Sequence, residues 1–269
     1  MPFIDITDTR VYYEDTGTGE SRPRTVLALH SFGTSHEVWR PMRPFLGSDV
    51  RLVAPDARGH GRSQHTAHGH SIAHQVRDLV HLIETLELDR PLVVGSSLGA
   101  VVATELALAR PDLVGAAMIV GGSGHGCVTV PELRDGIAAM AAGLGTDRFA
   151  TAESAVTGWF GPLVGPSADR WMVRQIMELD NAALAVVDEV LGYDPRRRLG
   201  EARVPFTYVH GTLDAIPMFI ARECAAATPG SVLIEVDGVA HMPHIEKPGW
   251  FADAVTAALE HLSCGPAHA

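Results

Sequence analysis

The octapeptide Val93-Val94-Gly95-Ser96-Ser97-Leu98-Gly99-Ala100 joins an apolar run that predicts a buried strand, residues 91–94, to a run that predicts a helix, residues 100–109. At its centre lies the pattern G-x-S-x-G, with Ser97 in the middle. A sharp turn from strand to helix strains its central residue and needs small neighbours where the two elements meet. The two glycines meet that need. The pattern predicts a turn that presents the Ser97 hydroxyl as a nucleophile. Read alone, it is equally compatible with an ordinary Gly/Ser-rich connection.

On both sides of this turn, apolar runs typical of buried strands alternate with helical patterns. The predicted strands cover residues 25–30, 51–55, 91–94, 113–120, 204–210 and 231–237. The predicted helices cover residues 36–45, 72–86, 100–109, 217–227 and 248–262. Residues 3–15 predict a short N-terminal hairpin or a pair of edge strands. Strands that alternate with helices predict a mostly parallel sheet covered by helices on both faces.

The alternation stops between residues 121 and 204, where helical periodicity replaces the strand pattern. Helices are predicted over residues 131–144, 147–160, 168–179 and 181–192. We therefore expect a core domain formed by residues 1–121 and 204–269, and a helical cap formed by residues 122–203.

Composition excludes several classes of partner. The chain carries 21 Lys and Arg against 32 Asp and Glu, a net charge of −11, which argues against nucleic acid or an anionic membrane surface. Three cysteines at distant positions are too few for a disulfide framework or a zinc site and fit a reducing compartment. With no basic and apolar leader and no run of about 18 apolar residues, we expect a cytoplasmic protein that does not span a membrane.

Two loops after the predicted helical segment offer partners for Ser97. A serine hydroxyl needs a base within hydrogen-bond reach, and the base needs an acid that fixes its tautomer. Asp214 follows the predicted strand 204–210, and His241 follows the strand 231–237. Loops at the carboxyl ends of parallel strands meet at one edge of the sheet, so these side chains can converge with Ser97.

Each partner has a competing interpretation. Asp214 can instead cap the helix predicted near residue 217, since Asp is a common capping residue. His244 stands three residues after His241, and we expect His244 at a helix start or on the surface. The order Ser, Asp, His, each just past a strand, favours Asp214 and His241 as the acid and the base.

Five motifs together resemble the α/β-hydrolase family over nearly the whole chain. They lie at residues 30–33, 56–63, 95–99, 211–214 and 241–248. Within that family the chain looks like the branch of esterases and lactonases similar to 3-oxoadipate enol-lactonase, through Ser31-Phe32-Gly33-Thr34 and the pair Val38-Trp39. Ala100 and His30 depart from that branch, which usually has Gly and often has Asn at these positions.

The resemblance implies an α/β-hydrolase fold, with a mostly parallel eight-stranded sheet, helices on both faces and an inserted helical cap. It implies that Ser97 attacks a carbonyl carbon, that His241 accepts and later returns the proton, and that Asp214 orients His241. The backbone N–H groups of Phe32 and Leu98 would hold the oxyanion. The implied reaction is hydrolysis of a small-molecule carboxylic ester or lactone through an acyl-enzyme, without a cofactor.

Other functions remain open from the sequence. The same site could cleave a thioester or a carbon–carbon bond, or support perhydrolysis of the haloperoxidase-like kind. Epoxide hydrolases and haloalkane dehalogenases are disfavoured, because they use a carboxylate where this chain has Ser97. A ligand receptor that kept the fold without the chemistry is the alternative from another class. The oligomeric state is not determined by the sequence.

The predicted cap contributes further candidates for the site. Trp159 and Phe160, followed by Met140 and Met172, could line an apolar pocket beneath it. The competing interpretation is that these side chains form the core of the cap itself.

A histidine cluster and a polar loop receive structural interpretations. The cluster comprises His60, His65, His68, His70 and His74, and the i, i+4 spacing of its last two members is one that can bind zinc. Without a nearby Cys or an intervening Glu, we expect a solvated loop and no metal. Asp56, Arg58 and His60 are expected to brace their glycine-rich loop.

Overall fold

Eight strands form one sheet in the order β1-β2-β4-β3-β5-β6-β7-β8 in a computed structural model of the protein, which describes residues 2–17, 24–122 and 124–263. The strands are β1 Phe3–Ile6, β2 Thr9–Asp15, β3 Arg24–Leu29, β4 Val50–Pro55, β5 Leu92–Ser96, β6 Ala116–Val120, β7 Phe206–Gly211 and β8 Val232–Val236. The β1–β2 and β2–β4 pairs are antiparallel, and the remaining pairs are parallel. The predicted mostly parallel, eight-stranded sheet is confirmed.

The central strands are apolar because both of their faces are covered. Val93 of β5 pairs with Leu27 of β3 and with Ala117 of β6. Successive residues of a strand point to opposite faces, so Val93 belongs to one hydrophobic cluster and Val94 to the other. Every residue of β5 is buried. This strand therefore holds the turn that follows it in a rigid position.

Eleven α-helices are formed by the described residues. They are α1 Ile72–Thr85, α2 Leu98–Ala109, α3 Gly126–Thr129, α4 Pro131–Thr146, α5 Arg148–Val156, α6 Pro166–Met177, α7 Val186–Leu191, α8 Arg196–Leu199, α9 Met218–Ala227, α10 Pro243–Glu246 and α11 Pro248–Ser263. Helices α1, α2 and α9 pack in one hydrophobic cluster, and α6 and α11 pack in the other. No helix within the described ranges has the length and hydrophobicity needed to cross a membrane.

The predicted continuous helix over residues 36–45 was wrong. Two 3-10 helices, His36–Trp39 and Arg43–Phe45, occupy this segment. Proline has no N–H to donate to a helical carbonyl, and Pro41 and Pro44 both fall inside the predicted span. Short 3-10 turns tolerate this loss because each closes over only a few residues.

Helices α3 to α8 lie in the connection between β6 and β7, called here the β6–β7 connection (residues 121–205). Its helices α4 to α7 occupy the four segments in which the sequence predicts helices. The connection shares a core with the rest of the molecule, since Met172 and Ile176 of α6 join Val38 and Trp39 in one hydrophobic cluster. That core fixes the connection over the edge of the sheet at which the catalytic candidates lie.

Candidate active site

Ser97 lies between the end of β5 and the start of α2, with φ 54° and ψ −110°. A non-glycine residue rarely adopts a positive φ, and strain of this kind persists only where the surrounding structure enforces it. The Ser97 N–H donates to the carbonyl of Val120 at 2.9 Å, and the Ser97 carbonyl accepts from Ala100 at 3.0 Å. These bonds hold the strained turn, and they leave the side chain on the wall of a cavity.

His241 and Asp214 form a hydrogen-bonded pair that lines the same cavity. Nδ1 of His241 donates to Oδ2 of Asp214 at 2.9 Å and lies 3.1 Å from Oδ1. The Asp214 carboxylate also accepts from the N–H of Ile216 at 2.9 Å. It does not cap α9, because the N-cap of that helix is Pro217, which makes no side-chain cap bond. Asp214 therefore orients the imidazole, and Nε2 remains the ring nitrogen able to face a substrate.

The electrostatics of the pair favour an ionised acid and a strengthened base. Burial raises the pKa of the Asp214 carboxyl, but the charge and the hydrogen bond of His241 outweigh burial and hold that pKa below its usual range. Burial lowers the pKa of His241, and the charge and hydrogen bond of Asp214 reverse this, so that the pKa of His241 is raised. A carboxylate that stabilises imidazolium in this way suits His241 for accepting a proton.

Two backbone N–H groups beside Ser97 are available as oxyanion donors. The carbonyl of Ser31 accepts from Nδ1 of His30 at 2.8 Å, and from Oγ1 and N of Thr34 at 2.8 and 3.1 Å. In a trans peptide the N–H points opposite the carbonyl, so these bonds fix the direction of the Phe32 N–H. Leu98 is the first residue of α2, and such an N–H has no acceptor in its own helix. No acceptor within the described ranges takes the N–H of Phe32 or of Leu98.

The loop that carries Phe32 is tied to the sheet and to the β6–β7 connection. Oγ of Ser31 donates to Oγ of Ser96 at 3.0 Å, which accounts for Ser96 as a structural residue next to the turn. Both N and Oγ of Ser35 donate to Oε1 of Gln175 on α6, at 3.0 and 2.7 Å. Gln175 is a contact that the sequence did not identify.

The cavity has a volume of about 490 Å³ and lies between the edge of the sheet and the β6–β7 connection. Ser97, Asp214, His241, Phe32 and Leu98 all line it. Its other walls are mainly apolar and include Val130, Leu133, Ile137, Met140, Ala155, Trp159, Val186, Val187, Val190, Ile216, Pro217 and Met242. Among its described lining residues, Glu132 is the one charged side chain besides the Asp214–His241 pair.

The four pocket residues predicted from the sequence separate into two groups. Met140 and Trp159 line the cavity, whereas Phe160 and Met172 do not. Met172 is fully buried in the hydrophobic core shared by α6 and the sheet, and its sulfur accepts from Nε2 of Gln175. Phe160 is half-buried and packs against the same core. For these two residues the competing interpretation, a role in the core, describes their environment.

The sequence of residues 26–254 matches the model of the alpha/beta hydrolase family. The chain belongs to this family. Pimeloyl-[acyl-carrier protein] methyl ester esterase from Edwardsiella ictaluri is 26% identical over 91% of this chain and 95% of its own length. An esterase from Exiguobacterium antarcticum has a similar structure, with a TM-score of 0.87 at 20% identity over 96% of this chain and 98% of that chain. The enol-lactonase from Burkholderia xenovorans LB400 is also similar in structure, with a TM-score of 0.84 at 22% identity over 96% of this chain and 100% of that chain.

The histidine cluster of this α/β hydrolase is not wholly solvated, contrary to the sequence-based expectation. His65 and His68 are exposed, but His60 and His70 are buried. The His60 ring lies 5.1 Å from that of His30 and 5.8 Å from that of Phe32, behind the loop that carries the Phe32 N–H. Among the residues that the structure describes, no three His, Cys, Asp or Glu side chains are grouped to hold a metal ion.

The polar loop at residues 56–63 is braced as the sequence suggested. Asp56 accepts from the backbone N–H groups of His36 and Arg62, at 2.6 and 2.8 Å. The fully buried Arg58 guanidinium forms a bidentate pair with Asp78, with both N–O distances at 2.7 Å. These bonds fix the loop behind the site and leave neither Asp56 nor Arg58 on the cavity wall.

His244 lies in the first turn of α10 but is completely buried. Its ring packs 4.4 Å from that of Trp39 and 5.7 Å from that of Phe251, and both ring nitrogens lack a partner among the described residues. Burial lowers the pKa of His244 to about 3, so the ring is neutral at physiological pH. His244 is therefore a core residue, whereas His241 lines the cavity.

Proposed function

We propose that this α/β hydrolase cleaves a carboxylic ester or lactone, with Ser97 as nucleophile, His241 as base and Asp214 as orienting acid. The observation that carries the proposal is the set of groups that line one cavity. It combines a serine at positive φ between a strand and a helix with a hydrogen-bonded His241–Asp214 pair. Phe32 and Leu98 line the same cavity, and their backbone N–H groups have no acceptor among the described residues; this combination suits acyl transfer.

The proposed reaction has two steps of the same kind. Oγ of Ser97 attacks the carbonyl carbon while Nε2 of His241 takes the hydroxyl proton. The N–H groups of Phe32 and Leu98 stabilise the resulting oxyanion. Collapse breaks the bond to the leaving oxygen, which receives the proton from His241. Water then attacks the acyl-enzyme with His241 again as the base, and the carboxylic acid leaves. For a lactone, the alcohol and the acid are the two ends of one product.

The cavity limits the substrate to a small molecule with apolar substituents. Its volume of about 490 Å³ lies within the usual range for small-molecule sites, and its walls bear Ile, Val, Leu, Met and Trp side chains. We infer that the β6–β7 connection acts as the cap, because Met140 on α4 and Trp159 after α5 line the cavity together with residues of the sheet edge.

A panel of p-nitrophenyl esters of increasing acyl length, together with simple lactones, tests the proposal. We expect a burst of nitrophenol equal to the enzyme concentration, and covalent capture of one fluorophosphonate per chain, with the adduct on the peptide that contains Ser97. Ser97→Ala should abolish the burst and the capture. Ser154→Ala changes an exposed serine on α5 and should leave both unchanged.

Other outcomes of the same panel separate the alternatives. Faster turnover of acyl thioesters than of matched oxygen esters would assign a thioesterase. Turnover of a β-diketone alone would assign a carbon–carbon hydrolase, and peracid formation from acetate and hydrogen peroxide would assign a perhydrolase. Tight binding of a ligand with no turnover and no fluorophosphonate capture would contradict the proposal and favour a receptor.

A further inference from the structure

Every backbone N–H of the tripeptide that carries His241 is bound. Those of Ala240 and Met242 donate to the side chain of Glu246, each at 3.1 Å. The N–H of His241 itself donates to the carbonyl of Trp159 at 3.2 Å. The His241 main chain is therefore held on one side by a carboxylate of α10 and on the other by Trp159, which lines the cavity.

The carboxylate of Glu246 also contacts the chain just beyond Trp159. Oε2 accepts from the N–H of Gly161 at 2.8 Å, two residues beyond Trp159. Gly161 fits closely, since a Cβ there would lie 2.9 Å from the same oxygen. Glu246 is 6% exposed, and its hydrogen bonds come from three backbone N–H groups rather than from a cationic side chain. Both carboxylate oxygens are used, which a glutamine could not reproduce because its NH₂ group cannot accept.

We propose that Glu246 is a positioning residue that couples residues 159–161, of which Trp159 lines the cavity, to the main chain of His241. Two connections join these parts of the molecule, one through the Trp159 carbonyl and one through the Glu246 carboxylate. A displacement of Trp159 by a bound molecule moves His241 because a backbone hydrogen bond joins the two residues. Glu246 adds a second connection, since it binds the N–H of Gly161 as well as those of Ala240 and Met242. The kinetic arm of the test rests on the proposed hydrolase function, and the spectroscopic arm does not.

The charged and titratable groups around His241 come from three elements. Asp214 faces it from the loop after β7, with His210 of that strand 3.7 Å from Oδ2 of Asp214. Glu246 and the neutral His244 face it from α10. The negative charge of Glu246 acts in the same direction as that of Asp214 and raises the pKa of His241. Neutralising Glu246 should therefore lower that pKa, which a role confined to packing would not do.

The test compares Glu246→Gln, Glu246→Asp and the matched control Glu260→Gln, which alters an exposed carboxylate on α11. The pKa of His241 is read from the imidazole signals by NMR, assigned by their loss in His241→Gln. We expect a lower His241 pKa in Glu246→Gln only. The Asp variant keeps the charge but is one methylene too short to reach Gly161. In the ester assay we expect kcat to fall about 10²-fold in Glu246→Gln and to fall in Glu246→Asp as well, with little change in KM.

The outcomes separate this proposal from the proposed function. If Glu246→Gln has the same His241 pKa and the same kcat as the control Glu260→Gln, the coupling is overturned. The coupling is also overturned if both Glu246 variants yield less folded protein while each folded molecule keeps a normal kcat, because Glu246 then acts on folding alone. If no ester or lactone is turned over, the proposed function fails, and the NMR titration alone then supports or contradicts the role of Glu246.

Discussion

The backbone of Gly95 at the end of β5 lies so close to that of Gly99 in α2 that a Cβ on Gly95 would overlap the Gly99 carbonyl oxygen. Gly99 is equally confined on its other side, since a Cβ there would overlap the carbonyl of Leu29 and lie 2.7 Å from that of His30. The strained turn at Ser97 is thus enforced by backbone contacts among β5, α2 and β3. A methyl group at either glycine has no flexible side chain to displace.

We predict that Gly99→Ala destabilises the protein by about 3 kcal/mol, the upper part of the usual range for overpacking a well-packed site. It should also abolish fluorophosphonate capture by Ser97, because α2 must move away from β3. Urea unfolding and mass spectrometry measure the two effects. Gly200→Ala is the matched control, since no atom lies within 4 Å of its added Cβ and its φ is −63°. A Gly99→Ala variant as stable and reactive as this control would contradict the close approach.

The sequence predicts this part of the site well because the constraint is local. The strand, the turn and the helix that surround Ser97 are consecutive, so their patterns are legible within about twenty residues. The positions of Asp214 and His241 follow from a general rule of parallel sheets rather than from their neighbours. Both sources of information are available without coordinates, and in the structure all three residues line one cavity.

The walls of the cavity could not be predicted in the same way. Whether a residue of α6 faces the cavity or the core depends on how that helix lies on the sheet, which periodicity alone does not determine. The sequence predicted both Met140 and Met172 as pocket residues, yet of these two only Met140 lines the cavity. Contacts such as Ser35 with Gln175, which are 140 residues apart, leave no local signal. In contrast, the break in the predicted helix 36–45 could have been predicted from the sequence, since Pro41 and Pro44 lie within it.

Neutralising Asp214, the acid of the proposed triad, should abolish most of the activity. Asp214→Asn removes the charge that raises the pKa of His241 and allows the wrong tautomer of the ring. We expect kcat to fall roughly 10³- to 10⁴-fold, the size of effect known for the acid of such a triad. Because the base must be deprotonated, activity rises with pH through the His241 pKa. The acid limb of kcat/KM should therefore move to lower pH in the variant.

The control for this prediction is Asp253→Asn, which alters an exposed carboxylate on α11. Its kcat and its acid limb should match those of the unaltered protein. If the acid limb of Asp214→Asn is unchanged at the activity that remains, the Asp214 carboxylate does not affect the pKa of the His241 imidazole.

Two buried neutral histidines should make the protein sensitive to acid. Burial lowers the pKa of His60 and of His244 to about 3, from 6.5 for a histidine exposed to water. Between these values the unfolded chain binds protons that the folded protein does not, so stability falls as pH drops below 6.5. Each ring should remove about 2 kcal/mol of unfolding free energy between pH 7 and pH 5.

Urea unfolding at both pH values measures this effect in His244→Phe. Phenylalanine fits the aromatic contacts with Trp39 and Phe251 and cannot be protonated. We expect the loss between pH 7 and pH 5 to shrink by about 2 kcal/mol relative to the unaltered protein. His81→Phe, which alters an exposed histidine on α1, should show the full loss. Equal pH dependence in the two variants would show that His244 is protonated without unfolding.

Glu132 should make the cavity select neutral substrates over anionic ones. It stands in the first turn of α4 and faces a cavity whose other walls are mainly apolar, while the charge of Asp214 is directed at His241. Two like charges near a protein surface repel by about 1 to 4 kcal/mol at 4 Å, and the exposure of Glu132 places it at the lower end. We expect kcat/KM for mono-p-nitrophenyl glutarate to be about tenfold below that for p-nitrophenyl butyrate, which corresponds to about 1.4 kcal/mol.

Three further measurements identify the source of this selectivity. Glu132→Gln should narrow the difference between the two esters, and Glu132→Lys should reverse it, mainly through KM of the anionic ester. Raising the salt concentration should narrow it in the unaltered protein, because ions screen exposed charges over about 8 Å at 0.15 M. Glu153→Gln, an exposed position on α5, serves as the control and should retain the full preference. Because the neutral ester carries no charge to repel, its kcat/KM should stay constant across the unaltered protein and the three variants. If kcat/KM instead changes equally for both esters, Glu132 acts through the shape of the cavity and not through its charge.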